Sequence, residues 1–318
     1  MKSFWQDLPK PIYALAPMEG VTDTVFRRIV AYCGKPTVFF TEFTNVDGLF
    51  SKGKKEVEHR LQFTPVEKPL IAQIWGMEPD NYTRAAELAV EMGFDGIDIN
   101  MGCPERNVVK RGACAGLINN PEHAGKIIEA AKKGAGKLPV SVKTRIGVKE
   151  IVTESWISFL LEQNISALTV HLRTAREMSN PPPHWEELPK VVELRNKINP
   201  ETVLLANGNI ESLEEANAKV KEFGIDGVMV GRGIFKDPFL FDGKTKLDNM
   251  ALSERLDLLL KHATLFEETW GQSKHFAILK KFFKIYTLGL PNASEIRERL
   301  MTTENLEDVR GIIKTLTN

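Results

Sequence analysis

One cysteine lies in a short segment, Asn100-Met-Gly-Cys-Pro104, whose residue types suit chemistry. The segment follows an apolar run, residues 96–99, that is typical of a buried parallel strand. Glycine lets the backbone approach a ligand closely, and proline fixes the direction in which the chain leaves. Because the active sites of α/β barrels lie on the turns that follow the strands, Cys103 is the first candidate catalytic residue.

The elements that must position this cysteine recur along the chain as short apolar or β-branched runs, with helix-type periodicity between them. The runs are residues 12–16, 38–41, 70–74, 96–99, 140–143, 167–170, 203–206 and 227–230. Eight strands that alternate with helices predict an α/β fold, a closed (β/α)₈ TIM barrel. An open doubly wound sheet is the alternative, but the first strand is followed by no glycine-rich phosphate loop.

The strand pattern ends after residue 239, and the remainder of the chain has helical periodicity. The predicted helices cover residues 252–270, 273–287, 294–300 and 304–315. We therefore expect two domains. Residues 1–245 form the TIM-barrel catalytic domain, and residues 246–318 form a small C-terminal helical domain.

Polar side chains gather at the ends of six consecutive predicted strands, from the third to the eighth. They are Gln73, Asn100, Lys143, Arg145, His171, Arg173, Asn207, Asn209 and Arg232. Barrel geometry brings such strand ends to one pocket. Gly208 and Gly231 leave backbone N–H groups accessible after the last two strands, where many barrels bind phosphate. This arrangement favours a flat phosphorylated cofactor such as FMN, although composition alone does not separate a flavin from a sugar phosphate.

The composition narrows the function classes. The chain has 318 residues, of which 42% are hydrophobic, and no run approaches the length of a membrane span. Three cysteines form no even disulfide framework, so we expect a cytoplasmic protein, and no zinc pattern is present. The 42 basic and 42 acidic side chains are weak evidence against nucleic-acid binding. No surplus apolar helix face indicates an obligate dimer, so we expect a monomer without metal.

The motifs together resemble the tRNA-dihydrouridine synthase family over nearly the whole chain. The two most specific segments are Ala16-Pro-Met-Glu-Gly-Val-Thr-Asp23 with Phe26-Arg27, and Asn100-Met-Gly-Cys-Pro104 with Lys110, Gly112-Ala113 and Leu117. Weaker matches follow in order, at Val142-Lys-Thr-Arg145, Val170-His171, Asn207-Gly208, Val230-Gly-Arg-Gly233, Leu279-Lys-Lys281, Tyr286 and Gly289-Leu-Pro291.

The resemblance implies an FMN-dependent reduction of selected tRNA uridines to 5,6-dihydrouridine, with NADPH as electron donor. By analogy, hydride passes from reduced flavin to C6, and Cys103 gives a proton to C5. A proton donor must be a thiol, so we expect a Cys103 pKa that is not strongly depressed. The implied cofactor residues are Pro17, Met18, Gln73, Lys143, His171, Asn207, Gly208, Asn209, Gly231 and Arg232. The implied substrate residues are Asn100, Arg145, Arg173, Lys280 and Lys281.

The chain departs from the family pattern after His171. Leu172 stands where the family usually has glycine, residues 173–183 differ from the usual loop, and Asn209 replaces a common aspartate. This loop follows a strand end and is expected over the pocket.

Two other enzyme classes use similar residues. A flavin barrel of the dihydroorotate dehydrogenase type acts on a free pyrimidine and needs no lysine-rich helical tail. A Schiff-base aldolase would use Lys143 as its nucleophile without a flavin. Cys33 and Cys114 are expected to be structural. Lys280, Lys281 and Lys284 fall near one face of the predicted helix 273–287, which forms either a solvated helix face or a basic strip. The family resemblance is what favours RNA binding by these lysines.

Overall fold

The computed structural model describes residues 4–317, and its contacts divide this part of the chain into two compact units. The first unit comprises the described residues up to Thr24 together with Pro36–Gly231. The second comprises Val25–Lys35 together with the described residues from Arg232 onward. The unit boundary therefore precedes the expected one at residue 245, and the functional division into catalytic and tRNA-binding domains stays a prediction.

All strands belong to the first unit and run parallel. They are β1 (Ile12–Leu15), β2 (Phe39–Phe40), β3 (Thr44–Asn45), β4 (Leu70–Trp75), β5 (Gly96–Met101), β6 (Val140–Gly147), β7 (Ala167–Thr174), β8 (Val203–Asn207) and β9 (Gly227–Val230). Their order is β1-β9-β8-β7-β6-β5-β4-β2, and β3 pairs with β4. A bridge between Ala14 and Val38 joins the two ends, so the predicted TIM barrel is confirmed.

The strands are apolar on both faces because helices cover the outside of a parallel barrel and side chains fill its inside. Alternate residues of β1, Ile12 and Ala14, point inward to one cluster with Phe40, Leu205 and Met229. This packing explains why short continuous apolar runs are enough to locate the eight barrel strands in the sequence.

Helices occupy most of the remaining chain. The α-helices are α1 (Phe4–Asp7), α2 (Thr24–Gly34), α3 (Val46–Leu49), α4 (Lys54–Val57), α5 (Pro79–Glu91), α6 (Arg106–Lys110), α7 (Pro121–Ala135), α8 (Thr153–Glu162), α9 (Leu188–Ile198), α10 (Leu213–Phe223), α11 (Leu252–Trp270), α12 (Phe283–Thr287), α13 (Ala293–Met301) and α14 (Leu306–Thr317). The 3₁₀ helices are Glu58–Leu61, Pro65–Glu67, Cys114–Asn119, Trp185–Glu187, Arg232–Phe235, Leu247–Asn249, Gly271–Ser273 and Phe276–Phe282. Local signals start several of the helices: the Ser212 side chain, for example, accepts a hydrogen bond from the Glu215 N–H and caps α10.

In the second unit, α11, α13 and α14 confirm three of the four predicted helices, whereas the continuous helix predicted over residues 273–287 is wrong. The structure has the 3₁₀ helix Phe276–Phe282 and then α12. Phe276, Leu279 and Phe282 are buried at intervals of three residues. Because side chains three apart eclipse in a 3₁₀ helix, this spacing buries one face in the tighter helix.

No helix within residues 4–317 is long and apolar enough to cross a membrane. The same residues contain no group of three or more His, Cys, Asp or Glu side chains placed to hold a metal ion. Cys33, Cys103 and Cys114 are all free thiols.

Candidate active site

The carboxyl ends of neighbouring barrel strands bring predicted site residues side by side. In the register of the sheet, Asn100 of β5 lies opposite Lys143 of β6. Arg145 lies opposite His171 of β7, which in turn lies opposite Asn207 of β8. Side chains two residues apart on a strand share a face, so Lys143 and Arg145 point the same way. The structure thus places these five residues in two adjacent rows at the strand ends, Asn100 with Lys143 and Arg145 with His171 and Asn207, while their individual roles stay predictions.

The turn that carries Cys103 is held by hydrogen bonds from both neighbouring strands. Asn100 Oδ1 accepts from the backbone N–H groups of Gly102 (3.0 Å) and Cys103 (2.9 Å). Arg145 Nε donates to the Gly102 carbonyl at 2.7 Å. The half-buried Cys103 thiol is therefore presented by a fixed backbone.

A second thiol contacts Cys103. The hydrogen bond from the Cys114 thiol lowers the pKa of Cys103 from 9.0 to about 7, against the opposing effect of burial. A hydrogen bond from the Glu105 backbone N–H and the positive charge of Arg145 lower the pKa further, while the negative charge of Glu105 opposes them. Burial, and the hydrogen bond with Cys103, raise the pKa of Cys114 well above its ordinary value. Cys114 is thus the donor and Cys103 the thiol that ionises first.

This pair bears on two expectations. Cys114, which is expected to be structural, also affects the ionisation of the candidate catalytic thiol. The pKa of Cys103 is also lower than expected, although with a value of about 7 roughly half of the molecules keep the proton at neutral pH. The sequence does not indicate the pair, since Cys114 lies eleven positions after Cys103 and the two do not form a CxxC motif.

Lys143 is a half-buried cation. Its Nζ donates to Asn207 Oδ1 at 3.2 Å, and Asn207 Nδ2 donates to the Met229 carbonyl at 2.8 Å. Burial and the nearby charge of Arg145 lower the pKa of Lys143 to about 8, while Asp98 and Cys103 oppose this shift. Lys143 therefore stays mostly protonated at neutral pH and presents a positive charge at the strand ends.

Asp98 is a site residue that the sequence reasoning missed. It is completely buried on β5, where Gln73 Nε2 donates to its Oδ2 at 2.7 Å. Ser141 Oγ donates to the other carboxylate oxygen at 2.6 Å. Burial raises the pKa of Asp98 to about 6, although these hydrogen bonds and the charge of Lys143 oppose that effect. The sequence feature that could have identified Asp98 is its position as a lone acidic residue inside an apolar strand.

Arg173, which is expected to contact substrate, is buried, with 1% of its surface exposed. It contacts two of the expected cofactor residues, His171 and Asn209. Its Nη1 bonds to His171 Nε2 at 3.1 Å, and its Nη2 donates to Asn209 Oδ1 at 3.2 Å. Its Nε donates to the Pro181 carbonyl at 2.7 Å. Because a guanidinium only donates, His171 Nε2 accepts and is unprotonated.

The atypical loop after β7 is tied to the strand ends. Arg145 Nη1 donates to the carbonyls of Thr174 (3.0 Å) and Met178 (2.7 Å). A Cβ added at Gly208 would lie 2.8 Å from Pro183, so the loop packs closely on that glycine. His184 bonds to Glu177 at 2.7 Å, and the glutamates at 177 and 186 raise the pKa of His184. Arg145 therefore links this loop to the Cys103 turn.

The segment after β1 carries Pro17 and Met18. The Met18 N–H donates to Thr22 Oγ1 at 2.9 Å, and the Met18 carbonyl accepts from the Thr22 N–H at 3.0 Å. Both main-chain groups of Met18 are thus engaged locally. Gly231 is open: an added Cβ would make only ordinary contacts, with Ala16 at 3.8 Å and Met18 at 4.0 Å. Arg232 directly follows Gly231 in the chain.

A cavity of about 340 Å³ opens beside the Cys103 turn. Its walls include Phe43, Trp75 and both cysteines, with Glu19 and Arg60 also lining it. Arg60 Nε donates to Glu19 Oε1 at 2.9 Å, so the charged part of the wall is paired. The cavity gives the Cys103 thiol an aromatic-walled space that the sequence motifs did not indicate.

The two lysines predicted to bind RNA lie in the second unit. Lys281 is exposed, whereas Lys280 is half-buried and its Nζ donates to the Met301 carbonyl at 2.8 Å. The interleaved aromatic residues Phe276, Phe283 and Tyr286 are buried. The segment therefore combines an aromatic core side with a basic outer side, and RNA contact stays a prediction.

Comparisons with known proteins agree with this geometry. The family described as Dihydrouridine synthase (Dus) matches residues 14–316. "Probable tRNA-dihydrouridine synthase 2" of Bacillus subtilis (strain 168) is 43% identical over 315 residues, which cover 98% of this chain and 96% of that protein. "Probable tRNA-dihydrouridine synthase" of Staphylococcus aureus (strain MRSA252) is 44% identical over 315 residues, covering 98% and 95%.

Two solved structures share the fold. Morphinone reductase superposes with a TM-score of 0.53 at 12% identity, covering 74% of this chain and 85% of that chain. The old yellow enzyme homologue from Zymomonas mobilis gives a TM-score of 0.51 at 15% identity, covering 74% and 89%. At these identities the likeness concerns the barrel alone. The match over residues 14–316 and the close relatives show that the chain belongs to the dihydrouridine synthase family.

Proposed function

We propose that this protein reduces selected uridines of tRNA to 5,6-dihydrouridine, with FMN as cofactor and NADPH as electron donor. The main supporting observation is the Cys103 thiol, which is fixed on the turn after β5 beside a cavity and is close in register to the half-buried cation Lys143. Family membership supports the same reaction. It also favours a tRNA substrate over the free pyrimidine and over aldolase chemistry at Lys143.

The residues at the strand ends fit a flavin. Gln73, Lys143 and Asn207 offer amide and ammonium groups suited to the carbonyl-rich pyrimidine edge of the ring system. The open backbone at Gly231 leaves room for a ligand to approach the end of β9. We assign these residues, with Pro17, Met18, His171, Gly208, Asn209 and Arg232, to the FMN site.

Bound FMN, once reduced by NADPH, would supply a hydride to C6 of the uracil ring. Cys103 would supply the proton to C5, for which its thiol must be protonated when the base arrives. The pKa of about 7 divides Cys103 between thiol and thiolate at neutral pH. Lys143 holds a positive charge at the strand ends, where it favours an electron-rich ring.

The proposed substrate residues already use most of their hydrogen-bonding groups within the protein. Asn100 uses its Oδ1 for the Cys103 turn and donates from Nδ2 to Gln73 Oε1 at 3.1 Å, so its remaining N–H is the group left for a uracil carbonyl. Arg145 and Arg173 are bonded to loop carbonyls, so we assign them mainly to shaping the substrate side of the pocket.

The tRNA must extrude its uridine, because a base inside folded RNA does not reach a barrel pocket. Lys280 and Lys281 in the second unit would bind the RNA backbone through their positive charges. A cytoplasmic location and a monomeric state belong to the same proposal.

The direct test incubates the purified protein with FMN, NADPH and unmodified tRNA, then maps dihydrouridine by mass spectrometry of the digested RNA. We expect product at defined positions, and loss of most turnover in Cys103→Ala with flavin and tRNA binding retained. Cys33→Ala is the matched control, because Cys33 is a buried thiol of the second unit. Full activity of Cys103→Ala would remove the proposed proton donor, and absence of both flavin and product would overturn the proposal.

A further inference from the structure

A continuous chain of hydrogen bonds runs from the barrel interior to the cysteine turn. It starts at Asp98 Oδ2, which accepts from Gln73 Nε2 at 2.7 Å. Gln73 Oε1 accepts from Asn100 Nδ2 at 3.1 Å. Asn100 Oδ1 then accepts from the N–H groups of Gly102 and Cys103 at 3.0 and 2.9 Å.

The direction of this chain is fixed at both ends. An ionised carboxylate only accepts hydrogen bonds, and a backbone N–H only donates them. The amides of Gln73 and Asn100 therefore have one orientation that satisfies every partner. If either amide turned over, two donors or two acceptors would face each other inside the protein, where an unsatisfied polar group is costly.

Asp98 is well placed to fix the orientation of these two amides. Asp98 and Asn100 are two residues apart on β5, so their side chains lie on the same face. The carboxylate is completely buried, and its other oxygen is bonded to Ser141 Oγ at 2.6 Å. The proposed mechanism does not use this carboxylate directly, because Gln73 and Asn100 separate it from Cys103.

We infer that Asp98 is a positioning residue: its carboxylate orients the amides of Gln73 and Asn100 and thereby holds the turn that presents Cys103. This inference rests on the proposed role of Cys103. It also determines what Gln73 offers a flavin, because one Nε2 hydrogen is bonded to Asp98 and only the other is left.

The test replaces the carboxylate by the isosteric amide in Asp98→Asn. The new amide has both a donor and an acceptor, so Gln73 and Asn100 lose their single orientation. We expect hydrogen exchange of the Gly102 and Cys103 amides to accelerate about tenfold, which corresponds to loss of a typical hydrogen bond. The turnover number with tRNA should fall while KM for tRNA changes little.

The matched control is Asp226→Asn. Asp226 is likewise a hydrogen-bonded carboxylate of the barrel, although it is only partly buried, and its partners are Arg195, Lys10 and the Leu204 N–H at the start of the strands. This variant should leave exchange at residues 102 and 103 unchanged. Acceleration there in both variants would mean general loosening of the barrel and would overturn the inference.

Exchange at wild-type rates in Asp98→Asn would equally overturn it. If Asp98→Asn does not fold, Ser141→Ala removes only one donor to the carboxylate and should give a smaller acceleration at the same amides; no acceleration would refute the inference. The exchange measurement needs no turnover. Its failure is thus distinguishable from failure of the proposed function, which is decided by product formation and by Cys103→Ala.

Discussion

Replacing Cys114 by alanine should raise the pKa of Cys103. The Cys114 hydrogen bond is the largest cause that lowers this pKa from 9.0 to about 7, and the burial that remains acts upward. We therefore expect a rise of up to about two units, equivalent to about 3 kcal/mol of thiolate stabilisation. At neutral pH the thiolate fraction would fall from about a half to about one hundredth, a factor of about fifty.

The effect of Cys114→Ala on the alkylation rate of Cys103 is smaller than its effect on the thiolate fraction. The variant reacts more slowly than wild type at neutral pH and faster at high pH. A thiolate becomes more nucleophilic as its pKa rises, with a Brønsted coefficient of about 0.4–0.5, so two units return a factor of about eight. Alkylation of Cys103 in Cys114→Ala should be about sixfold slower than wild type at neutral pH. Well above both pKa values it should be about eightfold faster, because ionisation no longer limits the reaction.

The assay is alkylation of Cys103 by iodoacetamide over a pH series, quantified by peptide mass spectrometry. The pH profile of tRNA reduction is the second readout, because the proton donor acts as a thiol. Activity of the wild type should fall as pH rises through about 7, and in Cys114→Ala this fall should move to higher pH. Cys114→Ser keeps a hydroxyl donor and should stay nearer to wild type.

The alkylation rates of wild type and Cys114→Ala, plotted against pH, should cross, and this crossing is the decisive result. A variant that merely exposes Cys103 would react faster at every pH, and one that merely buries it would react more slowly at every pH. Profiles that run parallel, or an unchanged alkaline limb of activity, would refute the assignment of Cys114 as donor to Cys103.

Other residues give independent predictions. Lys143→Met should weaken FMN binding at least about tenfold by loss of a half-buried charged contact, measured by flavin fluorescence titration; unchanged affinity would remove Lys143 from the flavin site. Lys280→Glu with Lys281→Glu should weaken tRNA binding and reduce its salt dependence without altering the flavin spectrum, and equal affinity would place the RNA surface elsewhere. The protonated form of His184 is stabilised by Glu177, so its contribution is present at low pH and lost as pH rises through its raised pKa. Hydrogen-exchange protection of loop residues 174–184 should therefore decrease above that pKa in the wild type but show no such step in His184→Gln.

Much of the barrel was predictable. Runs such as residues 140–143 and 227–230 are apolar because parallel strands are buried on both faces, and they lie within the observed strands β6 and β9. The segment 273–287 was harder, since buried residues at intervals of three and four both look helical. Only packing of Phe276, Leu279 and Phe282 decides for the 3₁₀ helix.

Some residues of the candidate site were predictable from the sequence, and others were not. Cys103, Lys143 and Asn207 were identifiable because each follows or ends an apolar run, and barrel topology brings strand ends together. Asp98 was passed over, since a strand pattern records which positions are buried and not which partners satisfy a buried carboxylate.

The sequence by itself determined the barrel, the family and the cysteine turn, because these depend on local residue patterns and on the order of strands. Tertiary structure alone decided how each polar group is used. It commits Arg145 to the carbonyls of two loops. It also returns the segment that carries Cys114 to the cysteine turn, where the Ala115 N–H donates to the Cys103 carbonyl at 3.3 Å. The physical reason is that a hydrogen bond requires two groups within about 3 Å, and that proximity arises between segments whose separation along the chain does not reveal it.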